Sequence, residues 1–210
     1  MADSSSEPST TGFLATPVKP DWPLRTERLT LRPWAEGDFD AFFEMQRDEE
    51  VARWEYNDPR DEATARRVFD YRVMSYEMGG NFAWISCAVV AQGEVVGDLL
   101  LNVRGHEHRG GELGFIIHPR HQGKGYATEA ARALLRWAFE EVSFHRVYGR
   151  AEPRNVASCR VMEKLGMRKE AHFVENEWVK GEWQSDVYYA MLDREWALSR
   201  GVAEPPPSGG

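Results

Sequence analysis

From Gln122 to Ala127 the chain reads Gln-Gly-Lys-Gly-Tyr-Ala, a spacing suited to holding phosphate oxygens. Gly123 and Gly125 let a ligand come close to the backbone. Behind them, Ala127, Ala130, Ala131, Leu134, Leu135 and Ala138 recur at helical spacing. The loop therefore runs into a helix N-terminus, whose first N–H groups have no internal partner and carry the positive end of the dipole. That makes a pocket for an anion, with Lys124 beside it. The run lacks the G-x-x-x-x-G-K-[ST] spacing of a Walker loop. A dinucleotide fingerprint counted from Gly123 and Gly125 would need a third glycine where Thr128 stands.

Other elements must deliver this loop. Leu113 to Ile117 is apolar and rich in strand formers, and Pro119, which has no N–H for a ladder, ends it. Upstream, the pattern predicts a strand over Leu24 to Pro33 and a helix over Glu36 to Arg47. A helical turn falls within 48–57. A helix enters at Asp58-Pro59, runs to about Met78 and stops at Gly79-Gly80. Strands Phe82 to Val90, Glu94 to Val103 and Glu112 to Ile117 follow in series, which means an antiparallel meander. After the central helix, which runs to about Val142, come a strand over His145 to Glu152 and a helix from an Asn155 cap to Leu165. A hairpin of Met167 to Val174 and Glu182 to Leu192 and a short helix over Asp193 to Arg200 close the series. The fold class is α/β: one mixed, mostly antiparallel central sheet with helices on both faces. Residues 1–22 read as a disordered tail, 23–198 as the single domain and 199–210 as a flexible tail.

Composition narrows the function. A net charge of −8 speaks against nucleic-acid binding and suits a cationic substrate. No apolar stretch approaches the ~20 residues of a membrane helix. Cys87 and Cys159 are too few for a disulfide framework and form no metal pattern, so a reduced cytoplasm is expected and no metal. His106 and His108 stand in a Gly/Arg-rich loop with no further spaced ligands.

Gln122-x-x-Gly125-x-Ala127 resembles the [QR]-x-x-G-x-[GA] motif of the GNAT superfamily of N-acetyltransferases. Asn155 to Met167 is similar to that superfamily's second signature, N-x-x-[AS]-x-x-x-x-E-K-x-G-[FM]. Thr26 to Arg32 resembles the branch that acetylates ribosomal-protein N-termini. The likeness spans residues 23–196.

The resemblance implies a fold in which the strand at Leu113–Ile117 and the strand at Val147–Arg150 splay into a V. It implies acetyl-CoA as donor and coenzyme A as product. The pyrophosphate would lie on Gln122, Gly123, Lys124, Gly125, Tyr126 and Ala127. The pantetheine would run along Phe115, Ile116 and Ile117, with the thioester carbonyl near the N–H of Ile116 or Ile117. Asn155 would touch the cofactor arm while also capping its helix. Glu112 would sit near the acetyl group and accept the amine proton, directly or through water. The acid expected of the family is a tyrosine where this chain has Met162, which has no proton to give. Ser158 is the substitute.

Trp54, Tyr56, Tyr76 and Trp84 lie on segments that wall the acceptor site in the family. The acceptor would be a primary amine, on a protein N-terminus or a small molecule, attacked without an acyl-enzyme because neither cysteine has a base nearby in sequence. A homodimer through the terminal strands is a family-level expectation. The competing reading is a non-catalytic acyl-CoA-binding regulatory module, for which the loss of the tyrosine is the best argument.

Overall fold

The computed structural model describes residues 13–79 and 83–201. In chain order the elements are β1 Leu24–Arg25, β2 Leu29–Arg32, α1 Phe39–Arg47, α2 Glu49–Ala52, α3 Glu62–Met74, β3 Trp84–Ala91, β4 Glu94–Val103, β5 Gly110–Ile117, α4 Tyr126–Glu140, β6 Arg146–Ala151, α5 Val156–Leu165, β7 Arg168–Val179, β8 Glu182–Leu192 and α6 Asp193–Ser199. The strands form one sheet in the order β1-β2-β3-β4-β5-β6-β8-β7. Every neighbouring pair is antiparallel except β5 and β6, which run parallel. The architecture is thus the α/β one expected.

Two cores lie on opposite faces of the sheet. On one, Ala130, Ala131, Leu134, Leu135 and Ala138 of α4 and Met162 and Leu165 of α5 pack on Leu99, Leu101, Leu113 and Val147. On the other, Phe39, Phe42 and Met45 of α1 and Ala65 and Phe69 of α3 gather with Trp34 and Ala88. Trp34 meets Phe42 and Phe69 edge-on, at centroid distances of 5.4 and 5.8 Å. Each such ring, fully buried, contributes about 1.5–3 kcal/mol.

Several boundaries differ from those expected. The first strand is a pair, β1 and β2, with register Leu24↔Leu31. α3 starts at Glu62, because Asp61, not Asp58, accepts from the Thr64 N–H at 2.7 Å. It ends at Met74, where the Ser75 hydroxyl donates to the Tyr71 carbonyl at 2.6 Å. β7 runs on past Val174, because a register shift between Phe173 and Glu177 carries it over a break that its polar sequence resembles.

Residues 13–22, expected as part of a tail, are packed. Leu14 is buried, Val18 and Met78 exchange backbone bonds of 2.7 and 2.8 Å, and Trp22 Nε1 donates to the Tyr76 carbonyl at 2.9 Å. Residues 1–12 and 202–210 of the expected tails, the Gly80 stop signal and the Phe82 strand start lie outside the described residues. No helix among the described residues is long and apolar enough to cross a membrane.

Candidate active site

β5 and β6 pair only at Gly110↔Arg146, Gly111↔Val147 and Glu112↔Tyr148. Beyond that point the strands part, so the splay opens at Glu112 and Tyr148. Backbone parity decides which groups face the gap. The His118 N–H donates to the Val96 carbonyl at 2.9 Å. Counting back along the antiparallel register, Ile116, Gly114 and Glu112 exchange bonds with β4. The N–H and C=O groups of Leu113, Phe115 and Ile117 therefore turn toward the gap. Of the two donors expected for a thioester carbonyl, Ile117 faces the gap and Ile116 does not, because its N–H is spent on the β4 ladder. On the other side the Asp193 N–H donates to the His145 carbonyl at 3.0 Å. By the same count, Tyr148 and Arg150 present their backbone to the gap.

At the open end of β5, Gln122 Nε2 donates to the Ile117 carbonyl at 3.0 Å and ties the loop to the strand. Gly123 and Gly125 have φ of +74° and +82°, a backbone state that side chains with a Cβ rarely adopt. α4 then begins at Tyr126 with no side chain capping it, which leaves its first N–H groups facing out. Lys124 stays exposed, and Tyr126 and Ala127 are half-buried. Arg28, a residue not foreseen from the sequence, closes the loop from outside. Its Nη1 donates to the Lys124 carbonyl at 2.9 Å, its Nε donates to Glu129 Oε2 at 2.7 Å, and its guanidinium lies 5.1 Å from the Tyr126 ring centre.

Glu112 is held on both oxygens. Arg104 Nε donates to Oε2 at 2.7 Å, the Tyr148 hydroxyl donates to the same oxygen at 3.3 Å, and Arg150 Nε lies 3.4 Å from Oε1. Leu113, its neighbour, points into the core beneath α4 and α5, so Glu112 projects from the opposite face. Ser158 stands on α5, at the third position of the helix, and its N–H is capped by Asn155 Oδ1 at 3.1 Å. The two catalytic candidates read from the sequence thus flank the sheet from opposite faces. Asn155 does serve as the cap. Met162 is buried under the splay, against Gly149.

Beside the expected Tyr56, the Glu112 face carries Tyr148, Arg150, Phe173, Glu177, Asp186 and Tyr188, which sequence reasoning missed. Arg150 Nη1 donates to Glu177 Oε1 at 3.1 Å and lies 3.7 Å from Asp186 Oδ2. Its guanidinium sits 4.9 Å from the Tyr56 ring centre. Burial works against the Arg150 charge, but Tyr56, Tyr188, Glu112 and Asp186 together hold its pKa above the usual arginine range. Tyr148 and Tyr188 stack at 5.7 Å, and Phe173 meets Tyr188 edge-on at 5.4 Å. Glu55 keeps access to solvent, yet desolvation by the surrounding walls raises its carboxyl despite Arg60, Arg72 and Lys180.

Of the expected wall aromatics, Tyr56 is on this face. Trp84 lies 4.9 Å from the Arg72 guanidinium, and Tyr76 sits against the N-terminal segment, near Lys19. Period-two reading of β6 could have found Tyr148 and Arg150, since Val147 and Gly149 take the other face. Among the described residues no group of three His, Cys, Asp or Glu side chains stands ready for a metal.

Comparison with known proteins gives the following. The family described as "Acetyltransferase (GNAT) domain" matches residues 28–168. An uncharacterized N-acetyltransferase of Bacillus subtilis (strain 168), YnaD, is 31% identical over 82% of this chain and 98% of its own length. A putative ribosomal N-acetyltransferase of the same organism, YdaF, is 28% identical over 81% of this chain and 94% of its own. The solved structure of spermidine N-acetyltransferase from Vibrio cholerae in complex with CoA and spermine superposes with a TM-score of 0.71. It covers 81% of this chain and 99% of that one, at 22% identity, which is a likeness of fold.

Proposed function

The chain belongs to the GNAT acetyltransferase family, and on that premise we propose that it moves the acetyl group of acetyl-CoA directly onto a primary amine. It is an acyltransferase. The observation that carries the finer reading is the parting of β5 and β6 beyond Glu112↔Tyr148. That leaves Phe115 and the Ile117 N–H without a strand partner, on a Leu113–Ile117 edge roughly 13 Å long at ~3.3 Å per residue. One end abuts the Gly123–Gly125 turn and the uncapped α4 N-terminus. A polar edge, an anion pocket at one end and a carboxylate at the other suit a donor with a pyrophosphate, an amide-bearing arm and a thioester, in that order.

In this reading Gln122, Gly123, Lys124, Gly125, Tyr126 and Ala127 hold the pyrophosphate. Phe115 and Ile117 bond the arm through their backbone, and Ile116 lends its side chain to the acceptor face. Asn155 orients α5 and meets the arm. Glu112 takes the amine proton, directly or through water, and Ser158 is the sequence candidate for returning one to sulfur. Burial, first of all, raises the thiol pKa of both Cys87 and Cys159, so neither offers a ready thiolate at neutral pH. That supports direct transfer over an acyl-enzyme. Two free thiols fit a reducing cytoplasm.

The acceptor that fits best is a protein α-amine, in line with the likeness at Thr26–Arg32 and to YdaF. The carboxylates on the acceptor face, Glu55, Asp98, Glu112, Glu177 and Asp186, are matched by Arg60, Arg72, Arg104, Arg150 and Lys180. A polyamine would call for a surplus of acids; a single amine does not.

The test is calorimetric titration with acetyl-CoA of the wild type and of Gly125→Glu, then thiol detection with N-terminal peptides and spermidine. Micromolar binding lost in Gly125→Glu, with thiol released by a peptide, supports the reading. Equal binding by both would remove the phosphate site. Binding without thiol release under any amine would favour a regulatory module.

A further inference from the structure

Met162 leaves open where the proton for the departing sulfur comes from. The residues at the vertex of the splay offer an answer that the second signature motif does not. We propose that Tyr148 is this proton donor, working as a pair with Glu112; the inference rests on the acetyl-transfer reading above.

Glu112 and Tyr148 are the last residues paired before β5 and β6 separate. Both side chains project from the acceptor face, and the Tyr148 hydroxyl donates to Glu112 Oε2 at 3.3 Å. A thioester at the inner end of the Leu113–Ile117 edge, where the gap-facing N–H is that of Phe115 and no longer that of Ile117, would stand beside this pair. An amine entering from the acceptor face would meet the same pair. Ser158 is less well placed, since it lies on the α5 face and Met162 fills the space beneath Gly149.

The surroundings also set the state of the phenol. Desolvation, and after it the charge of Glu112, raise the Tyr148 pKa above that of a free tyrosine. Tyr148 therefore carries its proton at neutral pH. Its ring is fixed by stacking on Tyr188 and by the Arg146 guanidinium, 5.2 Å from the ring centre.

The protons balance. The acceptor ammonium first loses one proton to solvent. The amine nitrogen then bonds to the acetyl carbon, and the carbon–sulfur bond breaks with its electron pair on sulfur. Tyr148 gives its O–H proton to that sulfur. Glu112 takes the remaining excess proton from nitrogen and passes it to the Tyr148 oxygen across the bond that already joins them. Both residues end the turnover as they began it.

Two measurements test this. The first is a crystal structure of the wild type with coenzyme A, which needs no acceptor. The Tyr148 oxygen should lie within hydrogen-bond reach of the sulfur; a sulfur nearer to Ser158 Oγ than to Tyr148 overturns the proposal. The second is kinetic, with an amine that the wild type acetylates. Tyr148→Phe keeps the ring and should lower kcat on the order of 10²-fold, with acetyl-CoA affinity by calorimetry unchanged. The basic limb of its kcat–pH profile, where the wild-type phenol loses the proton it must give, should disappear. A Tyr148→Phe enzyme with wild-type kcat overturns the proposal. So does one that keeps the wild-type basic limb, which is the mark of a residue that only steadies Glu112. Failure of acetyl-CoA binding in the wild type would instead strike the acetyl-transfer reading itself.

Discussion

Arg28 Nη2 lies 2.6 Å from Glu129 Oε2, a contact between the β1–β2 turn and the first turn of α4. Glu129 also accepts from the Thr26 hydroxyl at 2.6 Å and the Arg28 N–H at 2.9 Å. An acid in the first turn suits a bare helix, but it would repel a pyrophosphate bound there. Arg28 cancels that charge and pins the Lys124 carbonyl away from the pocket. Arg28→Met should raise the KM for acetyl-CoA about tenfold, or ~1.4 kcal/mol, and leave kcat near wild type. Acetyl-pantetheine, which lacks the pyrophosphate, should be used equally well by both enzymes. Adding Glu129→Gln should recover much of the loss. A KM rise of the same size with acetyl-pantetheine would mean that Arg28 serves only the fold.

Glu129 also links the fold to pH, as does Asp38. Burial works against the Asp38 carboxylate, but the Arg32 guanidinium, bonded at 2.6 and 2.8 Å, holds its pKa below the ordinary 3.8. Burial likewise opposes the Glu129 charge, and Thr26 and Arg28 hold it below 4.5. In each case the unfolded chain takes up its proton first as pH falls. The stabilisation is complete above the ordinary carboxylate pKa and is lost as pH drops through that range toward the folded values. Urea midpoints should hold between about pH 6 and 5 and fall from there to about pH 3. The slope should be shallower in Asp38→Asn with Glu129→Gln. An unchanged slope would assign the acid sensitivity to other carboxylates.

Much of this arrangement can be read in the sequence, for definite reasons. The Gln122–Ala127 turn is legible because glycine at positive φ and helical periodicity are local properties. Asn155 is legible for the same reason, since a cap and its helix are adjacent in sequence. Glu112 is visible as a lone acid at the start of an apolar strand, but its partners are not. Tyr148 and Arg150 reach it through a parallel pairing of strands with α4 between them, and Arg104 across the β4–β5 turn. Arg28 pairs with a residue 101 positions away. The packing of residues 13–22 is hidden because no helix or strand period marks them: Phe13, Leu14, Val18 and Trp22 reach the core from a segment broken by Pro17 and Pro20. The parity that turns the Ile116 N–H to β4 and the Ile117 N–H to the gap is hidden too, because it depends on the register of β4.

Asn155 offers a way to separate capping from cofactor contact. Its Oδ1 accepts from the Ser158 N–H at 3.1 Å, so Asn155→Ala should cost about 1 kcal/mol. In a chain of this size that is a Tm drop of about 2–4 °C by calorimetry. Asn155→Asp keeps the cap and so the Tm. If Asn155 also meets the cofactor arm through its amide N–H, Asn155→Asp should still weaken acetyl-CoA binding severalfold. An Asn155→Asp enzyme with wild-type affinity would confine Asn155 to the cap.

Gly149 and Met162 decide whether the family's tyrosine could be restored. A Cβ built on Gly149 would stand 2.7 Å from Met162 Sδ and 3.6 Å from the Leu113 carbonyl oxygen. Met162 is only 1% exposed, so its side chain has little room to retreat. Gly149→Ala should therefore cost about 1–3 kcal/mol, as overpacking does. Met162→Ala should cost about 2–5 kcal/mol through the cavity it leaves. The double variant should be more stable than the sum of the two losses predicts, because the new methyl partly fills that cavity. Met162→Tyr must push a larger group into the same space, so it should lower the urea midpoint without raising kcat. A Met162→Tyr enzyme that is both stable and faster would mean that the pocket under Gly149 opens toward the sulfur. The proton would then have a route from the α5 face, and Tyr148 would lose its claim to be the donor.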